Sequence, residues 1–204
     1  MNVVASAIIP TFNRADLVRQ AIQSALSQEI PRGQVEVIVV DDESTDTTPE
    51  VVRAFEAVRY IRQSNRKEGA ARNTGADAAR GTYLAFLDSD DYWLPGKLAA
   101  DVERFESSDR PALVYSRVLN VDAVDRPLGV RRLQSPQGDV FWALAREAFM
   151  PMSSIAVFAP ANVRSRKSDR SSIGRRCRIS RAMKRTRKTA AATNESTILP
   201  ELQP

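Results

Sequence analysis

Three apolar segments of strand length, each followed by a polar or acidic turn and then a helical segment, constrain the fold of this chain more than any other feature. They lie at residues 3–9 (VVASAII), 35–40 (VEVIVV) and 83–87 (YLAFL). Short apolar runs rich in β-branched and aromatic residues are typical of buried strands. Strands that alternate with helices of about 10–15 residues predict an α/β domain, with a doubly wound, mostly parallel sheet and helices on both faces.

The segments between these strands carry helical patterns. A helix with one buried stripe is predicted over residues 15–27, a second helix after Pro49, a third over 69–79 (GAARNTGADAA) and a fourth over 97–105. The small side chains of the third helix would let it approach a sheet or a ligand closely. The predicted stripe of the first helix consists of Leu17, Val18, Ala21, Ile22, Ala25 and Leu26.

Several shorter strands and one more helix are also predicted. Pro10 is expected to end the first strand, and residues 58–61 form a third, shorter strand. Residues 112–115 and 118–121 are predicted as two further strands that could form a hairpin. A short amphipathic helix over 141–149 and a last strand over 154–158 complete the predicted domain.

The charge of the chain changes at about residue 160. Residues 1–160 hold 18 Lys and Arg against 22 Asp and Glu, a net charge of −4, whereas residues 161–204 hold 12 against 3, a net charge of +9. The second segment contains no Phe, Tyr or Trp, so it cannot bury enough apolar surface to fold by itself. We predict a domain over residues 1–160 and a basic, disordered tail over residues 161–204.

The composition excludes several classes of protein. Histidine is absent, so carboxylates must supply any acid, base or metal chemistry. Cys177 is the only cysteine, which excludes an internal disulfide and favours a reducing, cytoplasmic setting. No apolar run reaches the roughly 18 residues of a membrane span, and no basic segment precedes the first strand as in a signal peptide.

Polar turns follow the three strands, at residues 10–14, 41–46 and 88–91. In a doubly wound sheet such turns meet in one crevice at the switch point of the strand order. Asp88 and Asp90 are two positions apart, so both would face one side of a strand. Carboxylates crowded there repel one another unless a cation such as Mg²⁺ or Mn²⁺, also bound to phosphate, lies between them. The alternative is that these acids cap helices and solvate loops.

Two common nucleotide-binding motifs are missing. The first turn, PTFNR, has no glycine, and the chain contains neither G-x-G-x-x-G nor the phosphate-binding P-loop pattern. What remains is a nucleotide site in which side-chain carboxylates bind the base and ribose and a metal ion binds the diphosphate.

Four blocks resemble the large family of inverting glycosyltransferases with a GT-A fold, the glycosyltransferase family 2 type. They are residues 6–14 (SAIIPTFNR), 37–47 (VIVVDDESTDT), Asn65 with 69–73 (GAARN), and 81–98 (GTYLAFLDSDDYWLPGKL), in order across residues 3–120. The resemblance implies metal-dependent transfer of a sugar, with inversion, from a nucleotide-diphosphate donor to a carbohydrate or lipid-linked acceptor. It also implies a role in cell-envelope polysaccharide synthesis, in the cytoplasm or at the inner face of the membrane.

The resemblance assigns the nucleotide to the first two strand ends. Residues 10–12 would wall the base pocket, and residues 13–14 would close the first turn beside the nucleotide. Asp42, or alternatively Asp41, would accept the N3–H of a uracil-like base; the competing interpretation is that this pair caps the next helix. The nucleotide-sugar-binding residues implied here are Pro10, Thr11, Phe12, Asn13, Arg14, Asp41, Asp42 and Ser44.

The third strand end and the small-residue helix would hold the sugar diphosphate. Asp88 and Asp90 resemble the DXD metal motif, in which Asp90 binds Mg²⁺ or Mn²⁺ directly and Asp88 also lies near the ribose. Asp91 is expected to cap the next turn, and Trp93 to pack in the core or form an acceptor platform. Arg72 would line the diphosphate channel or be a solvated helix residue. The nucleotide-sugar-binding residues implied here are Asn65, Arg72, Asn73, Asp88 and Ser89.

The resemblance ends near residue 160. In the family the catalytic base is a downstream Asp or Glu, and residues 152–155 (MSSI) resemble the approach to it. Between Val163 and Lys188, however, the chain has one acid, Asp169, so no base is identified. A reading-frame shift or a recombined gene end would produce such a change. The alternative function is an inactive nucleotide-sugar-binding fragment.

The basic tail suggests a third, remote function. Its charge would attract any polyanion with a steep salt dependence, but without aromatic residues it predicts no specific nucleic-acid recognition. Peripheral contact with a membrane surface is compatible with the same charge, although the tail has too thin an apolar face for an amphipathic helix.

Overall fold

A computed structural model of the chain describes residues 2–122, 124–130, 138 and 151–159. The strands in these ranges are β1 (Val3–Thr11), β2 (Gln34–Asp41), β3 (Val58–Arg62), β4 (Tyr83–Phe86), β5 (Leu113–Tyr115), β6 (Leu119–Val121), β7 (Pro127–Val130) and β8 (Ile155–Phe158). The helices are α1 (Ala15–Leu26), α2 (Thr48–Arg53), α3 (Glu68–Ala78) and α4 (Lys97–Glu106). A 3-10 turn, Met152–Ser154, leads directly into β8.

Six strands form the central sheet, in the order β3-β2-β1-β4-β8-β5. β1 pairs in parallel with β2 and β4, and β2 pairs in parallel with β3. β8 is antiparallel to both of its neighbours, β4 and β5. The chain runs outward from β1 to β3 and then returns to add β4 on the other side of β1. The strand order therefore reverses between β1 and β4, which is where open α/β sheets bind ligands.

Helices cover both faces of the sheet, as predicted. On one face, Ile9 and Val39 belong to a core that includes residues of α1, α2 and α4. On the other face, Ile8 and Phe86 pack with alanines of α3. Successive strand residues point to opposite faces, so the apolar runs of β1 and β2 supply both cores at once.

The small residues of α3 allow its close approach to the sheet. A Cβ atom added to Gly75 would clash with Cγ2 of Ile8 and lie 3.3 Å from Cγ2 of Val40. The predicted proximity of this helix to the sheet is confirmed, and it positions the first turn of α3 beside the switch point.

Pro10 does not end β1, contrary to expectation. The Leu87 amide donates to the Ile8 carbonyl at 3.0 Å, so the backbone groups of Ile8, and of Pro10 two residues later, point toward β4. Because β4 ends at Phe86, no strand among the described residues continues beside Pro10, so its missing N–H removes no hydrogen bond of the strand ladder there.

Two further expectations are wrong. β5 pairs with β8 rather than with β6, and β6 forms its hairpin with β7. In α1, Leu17 and Leu26 are 40% and 38% exposed, so the buried stripe is narrower than predicted and consists of Val18, Ala21, Ile22 and Ala25.

The helix predicted over 141–149 and the tail predicted over 161–204 lie outside the described residues. No helix within the described ranges is long and apolar enough to cross a membrane.

Candidate functional site

A cavity of about 310 Å³ opens at the carboxyl ends of the parallel strands, where the strand order reverses. The turns that follow β1, β2 and β4 all contribute to its wall. Its lining residues are Pro10, Thr11, Phe12, Arg14, Asp42, Asn65, Lys67, Glu68, Ala71, Ser89 and Asp90.

The end of β1 supplies an apolar wall, a hydroxyl group and a cation. The Phe12 side chain is 45% exposed, while Thr11 is buried and its Oγ1 has no hydrogen-bond partner among the described residues. Nη2 of Arg14 lies 3.8 Å from Oδ2 of Asp90 across the mouth of the cavity, and both side chains are half-exposed. A buried hydroxyl without a partner at the edge of a cavity is suited to a polar ligand, because leaving it unpaired is costly.

The turn after β1 is fixed by the turn after β2. Asn13 has a φ of +51°, a conformation that asparagine tolerates better than most residues. Its Oδ1 accepts a hydrogen bond from the Thr45 amide at 2.8 Å, and its own amide donates to Oγ of Ser44 at 2.9 Å. Asn13 and Ser44 thus join the two loops to each other and do not line the cavity.

The adjacent acids at the end of β2 have different environments. Asp41 is fully buried; its Oδ1 accepts from the Ser44 amide at 2.8 Å and its Oδ2 from the Tyr60 hydroxyl at 2.6 Å. Burial, together with this hydrogen bond and the Asp41 charge, raises the pKa of Tyr60 to about 12. Asp42 lines the cavity.

Hydrogen bonds from the segment after β3 fix the Asp42 carboxylate. Its Oδ1 accepts from Nε2 of Gln63 at 2.6 Å and from the Arg66 amide at 3.0 Å, and the same amide lies 3.2 Å from Oδ2. These contacts fix the carboxylate and leave acceptor capacity on Oδ2, since each carboxylate oxygen has two lone pairs.

The first turns of α3 connect the cavity with the acidic residues after β4. Nη2 of Arg72 lies 2.6 Å from Oδ1 of Asp88 and 2.5 Å from Oε1 of Glu68. Nε of Arg72 and Oδ1 of Asn73 are buried without hydrogen-bond partners in the described part of the chain. Neither Arg72 nor Asn73 lines the cavity, and Arg72 forms an ion pair with the Asp88 carboxylate.

We name residues 88–91 the acidic loop. The Asp91 amide donates to the Asp88 carbonyl at 3.1 Å, which closes the loop as a tight turn. Burial raises the pKa of Asp91, and the charges of Asp88 and Asp90 add to the rise. The Asp91 carboxylate accepts from Oγ of Ser153 at 2.5 Å, instead of capping the next turn as expected.

The donor set of the acidic loop fits a hard divalent cation. Mg²⁺ and Mn²⁺ prefer oxygen ligands, and the Asp90 carboxylate faces the cavity with one long contact to Arg14. Among the described residues, no three His, Cys, Asp or Glu side chains converge as a metal cluster. A cation held by Asp88 and Asp90 would therefore take its other ligands from a phosphate group or from water.

Trp93 packs in the core. It is 5% exposed, and its Nε1 donates to the Ser153 carbonyl at 2.7 Å. Of the two roles considered for it, core packing is the one observed.

Sequence reasoning missed four residues around the site. Lys67, Glu68 and Ala71 line the cavity. They lie between Asn65 and Arg72, two predicted site residues, and this position in the chain is the signal that could have identified them. Ser153 is different: residues 152–155 resemble the approach to the catalytic base, but no local pattern links Ser153 to the acidic loop, which is distant in the chain. The predicted residues that the cavity does not include are Asn13, Asp41, Ser44, Arg72, Asn73 and Asp88.

The model of the family described as glycosyl transferase family 2 matches residues 6–154. WfaP of Escherichia coli, named UDP-Glc:alpha-D-GlcNAc-diphosphoundecaprenol beta-1,3-glucosyltransferase, is 38% identical over 105 residues, which cover 50% of this chain and 41% of WfaP.

Two solved structures resemble the fold. TarS 1-349 of S. aureus has a TM-score of 0.60 and 23% identity over 76% of this chain and 47% of its own. The mannosyltransferase PcManGT of Pyrobaculum calidifontis, solved with GDP-Man and Mn²⁺, has a TM-score of 0.50 and 28% identity over 59% of this chain and 36% of its own.

The predicted GT-A fold is confirmed by these likenesses and by the observed strand order. The chain spans less than half the length of the curated relatives that it matches. Since the family model extends over most of the chain, from β1 to the turn before β8, the chain belongs to glycosyl transferase family 2.

Proposed function

We propose that this chain binds a nucleotide-diphosphate sugar at the cavity and serves in metal-dependent transfer of the sugar to an acceptor hydroxyl, with inversion. The observation that carries the proposal is the meeting of Phe12, Asp42 and Asp90 on one cavity at the strand-order switch point. A cavity of about 310 Å³ falls in the range of small-ligand sites.

The base would bind between the ends of β1 and β2. The Phe12 side chain offers an apolar wall, and Oδ2 of Asp42 is available to accept an N–H such as N3–H of uracil. Gln63 and the Arg66 amide hold the carboxylate in place, so little side-chain freedom would be lost when the base binds.

The diphosphate would lie toward the acidic loop. Arg14 and Lys67 bring positive charge to this part of the cavity, while Arg72 forms an ion pair with Asp88. Asp88 and Asp90 are the residues that would hold Mg²⁺ or Mn²⁺, and the chemistry that such a cation supplies is neutralisation of charge on the leaving group. The presence of Mn²⁺ with GDP-Man in PcManGT supports this assignment.

The reaction is a displacement at the anomeric carbon. A base removes the proton of the acceptor hydroxyl, and the oxygen forms a bond to the anomeric carbon as the bond to the diphosphate oxygen breaks. The nucleoside diphosphate leaves with the bonding electron pair. The general base is not assigned to a residue of this chain.

The acceptor is proposed to be a carbohydrate or a lipid-linked saccharide. WfaP, by its name, acts on a diphosphoundecaprenol-linked sugar, and a lipid-linked acceptor would bring the site to the inner face of the membrane. The tail could contribute a peripheral contact there through its charge.

A nucleotide-sugar-binding fragment without turnover is the second candidate. The observation that favours it is that no residue of this sequence is identified as the general base, since Asp169 is the one acid between Val163 and Lys188. Both candidates predict donor binding, and only the first predicts transfer to an acceptor.

Calorimetric titration of nucleoside diphosphates with and without Mn²⁺ tests donor binding. We expect Mn²⁺-dependent binding that Asp90→Ala weakens at least about tenfold, or about 1.4 kcal/mol. Glu29→Ala is the matched control, because it removes an exposed carboxylate between α1 and β2, at the opposite end of the sheet. Equal Mn²⁺-dependent affinity in the wild-type chain and in Asp90→Ala would show that Asp90 is not a metal ligand.

Turnover with an acceptor separates the two candidates. Acceptor-dependent release of the nucleoside diphosphate would support the first candidate, a transferase. Tight donor binding without such release would support the second candidate, a binding fragment without turnover.

A further inference from the structure

We propose that Ser153 is a positioning residue for the acidic loop, and that its hydroxyl holds the carboxylates of this loop in the geometry that binds the cation and diphosphate. The inference rests on the proposed donor-binding function and adds a residue from the far end of the described chain.

One oxygen atom ties the two ends of the loop. Oγ of Ser153 accepts a hydrogen bond from the Asp88 amide at 3.0 Å and donates one to Oδ2 of Asp91 at 2.5 Å. A serine hydroxyl has one proton to donate, so its donation to Asp91 directs its lone pairs toward Asp88. The hydroxyl therefore matches both partners at once.

The loop needs such an anchor because the sheet ends before it. The Leu87 amide makes the last backbone hydrogen bond from this segment to β1, and β4 ends at Phe86. The Asp88 amide finds its acceptor in a side chain. Asp90, between the two anchored residues, is half-exposed and contacts Arg14 only at 3.8 Å. The hydrogen bonds to Ser153 therefore hold the chain on both sides of Asp90.

Ser153 is itself firmly supported. It is 8% exposed, and its carbonyl accepts from Nε1 of the buried Trp93 at 2.7 Å. The Trp93 amide donates to Oγ of Ser24 in α1 at 3.1 Å. Two residues later, Ile155 pairs with Tyr115 in the sheet. The anchor is therefore part of the core rather than of a surface loop.

Residues that orient metal ligands typically contribute about 10-fold to 100-fold to metal affinity. We expect Ser153→Ala to weaken Mn²⁺-dependent binding of uridine diphosphate by about this factor. Binding of uridine, which lacks the diphosphate, should change little, because Asp42 and Phe12 make no contact with Ser153.

Ser154→Ala is the matched control. Ser154 is as deeply buried as its neighbour, but its hydroxyl donates to the Pro151 carbonyl at 2.7 Å and does not reach the acidic loop. A general loss of packing in this turn would affect both variants alike, whereas a positioning role affects Ser153 alone. Ser153→Thr retains the hydroxyl and should restore binding.

The experiment measures Mn²⁺-dependent affinity by calorimetry and hydrogen exchange of the Asp88 amide by NMR without metal, on the full chain. We expect Ser153→Ala to lose affinity and Asp88 amide protection, and Ser154→Ala to keep both. If Ser153→Ala does not fold, Ser153→Cys replaces it, since the thiol is similar in size and a weaker hydrogen-bond partner.

Two negative results have different meanings. Unchanged affinity and unchanged Asp88 protection in the Ser153 variant, with a wild-type chain that binds the nucleotide, would overturn the positioning role alone. A wild-type chain that binds no nucleoside diphosphate with Mn²⁺ would overturn the proposed function, and the positioning role with it.

Discussion

At the scale of single residues, the pair Asp41 and Asp42 shows how neighbouring carboxylates acquire different roles. Consecutive residues at a strand end point to opposite sides, so one acid lies against Tyr60 and the other lies in the cavity wall. The sequence predicts that acids follow β2. The sequence does not show which acid is buried and which lines the cavity, because that depends on Tyr60, which β3 places beside Asp41.

Asparagine substitutions test this division of roles. Asp41→Asn should destabilise the fold by about 1–3 kcal/mol, because the amide nitrogen that replaces one buried carboxylate oxygen cannot accept the hydrogen bond that Tyr60 donates. It should also lower the pKa of Tyr60 from its value of about 12. Asp42→Asn should keep the Oδ1 contacts and weaken uridine diphosphate binding about tenfold. Urea unfolding, titration of tyrosine absorbance and calorimetry measure these effects.

Each variant is the control for the other. Asp42→Asn should leave the Tyr60 titration unchanged, and folded Asp41→Asn should bind the nucleotide with nearly wild-type affinity. The reverse pattern of affinities would assign the base contact to Asp41, the alternative that the resemblance left open.

At the scale of elements, the packing of α3 against the sheet determines how close the first turn of this helix lies to the cavity. Its small residues predicted a close approach, and Gly75 is the point of closest contact with Ile8 and Val40. The amino-acid pattern identified the helix and its role in packing. The pattern did not identify Lys67 as a cavity residue. Lys67 precedes the first turn of α3 with a φ of +70°, a local conformation that the helical pattern does not predict.

Two glycines of the same helix should respond to alanine with opposite signs. Gly75→Ala should destabilise the protein by about 1–3 kcal/mol, because its Cβ clashes with buried side chains of the sheet. Gly69→Ala should stabilise it by up to about 1 kcal/mol, because no atom lies within 4 Å of its added Cβ and alanine favours the helix. Urea unfolding measures both, and equal effects would contradict the packing argument.

At the scale of the whole molecule, the parallel half of the sheet was predictable and the antiparallel part was not. The parallel direction of β1 to β4 follows from the local alternation of strands and helices, although the return of the chain to place β4 beside β1 does not. The insertion of β8 between β4 and β5 depends on pairs distant in the chain, such as Leu84 with Val157. Contacts at that separation leave no periodic signal, which is why β5 and β6 were wrongly expected to pair and Ser153 was missed.

Two shortened chains test whether the described domain is sufficient. A chain of residues 1–160 retains β8 and every residue that lines the cavity, so we expect it to bind uridine diphosphate with Mn²⁺ as the full chain does. A chain of residues 1–150 lacks β8, so the edges of β4 and β5 would be exposed and prone to aggregation.

The shorter chain should also lose core packing, because Ile155 and Ala156 of β8 are almost fully buried. We therefore expect residues 1–150 to unfold at lower urea concentration, or to precipitate, and to lose Mn²⁺-dependent binding together with Ser153. Binding by the full chain but not by residues 1–160 would mean that residues 161–204 contribute to the donor site. Unchanged stability of residues 1–150 would mean that β8 is dispensable, contrary to its position between two strands of the sheet.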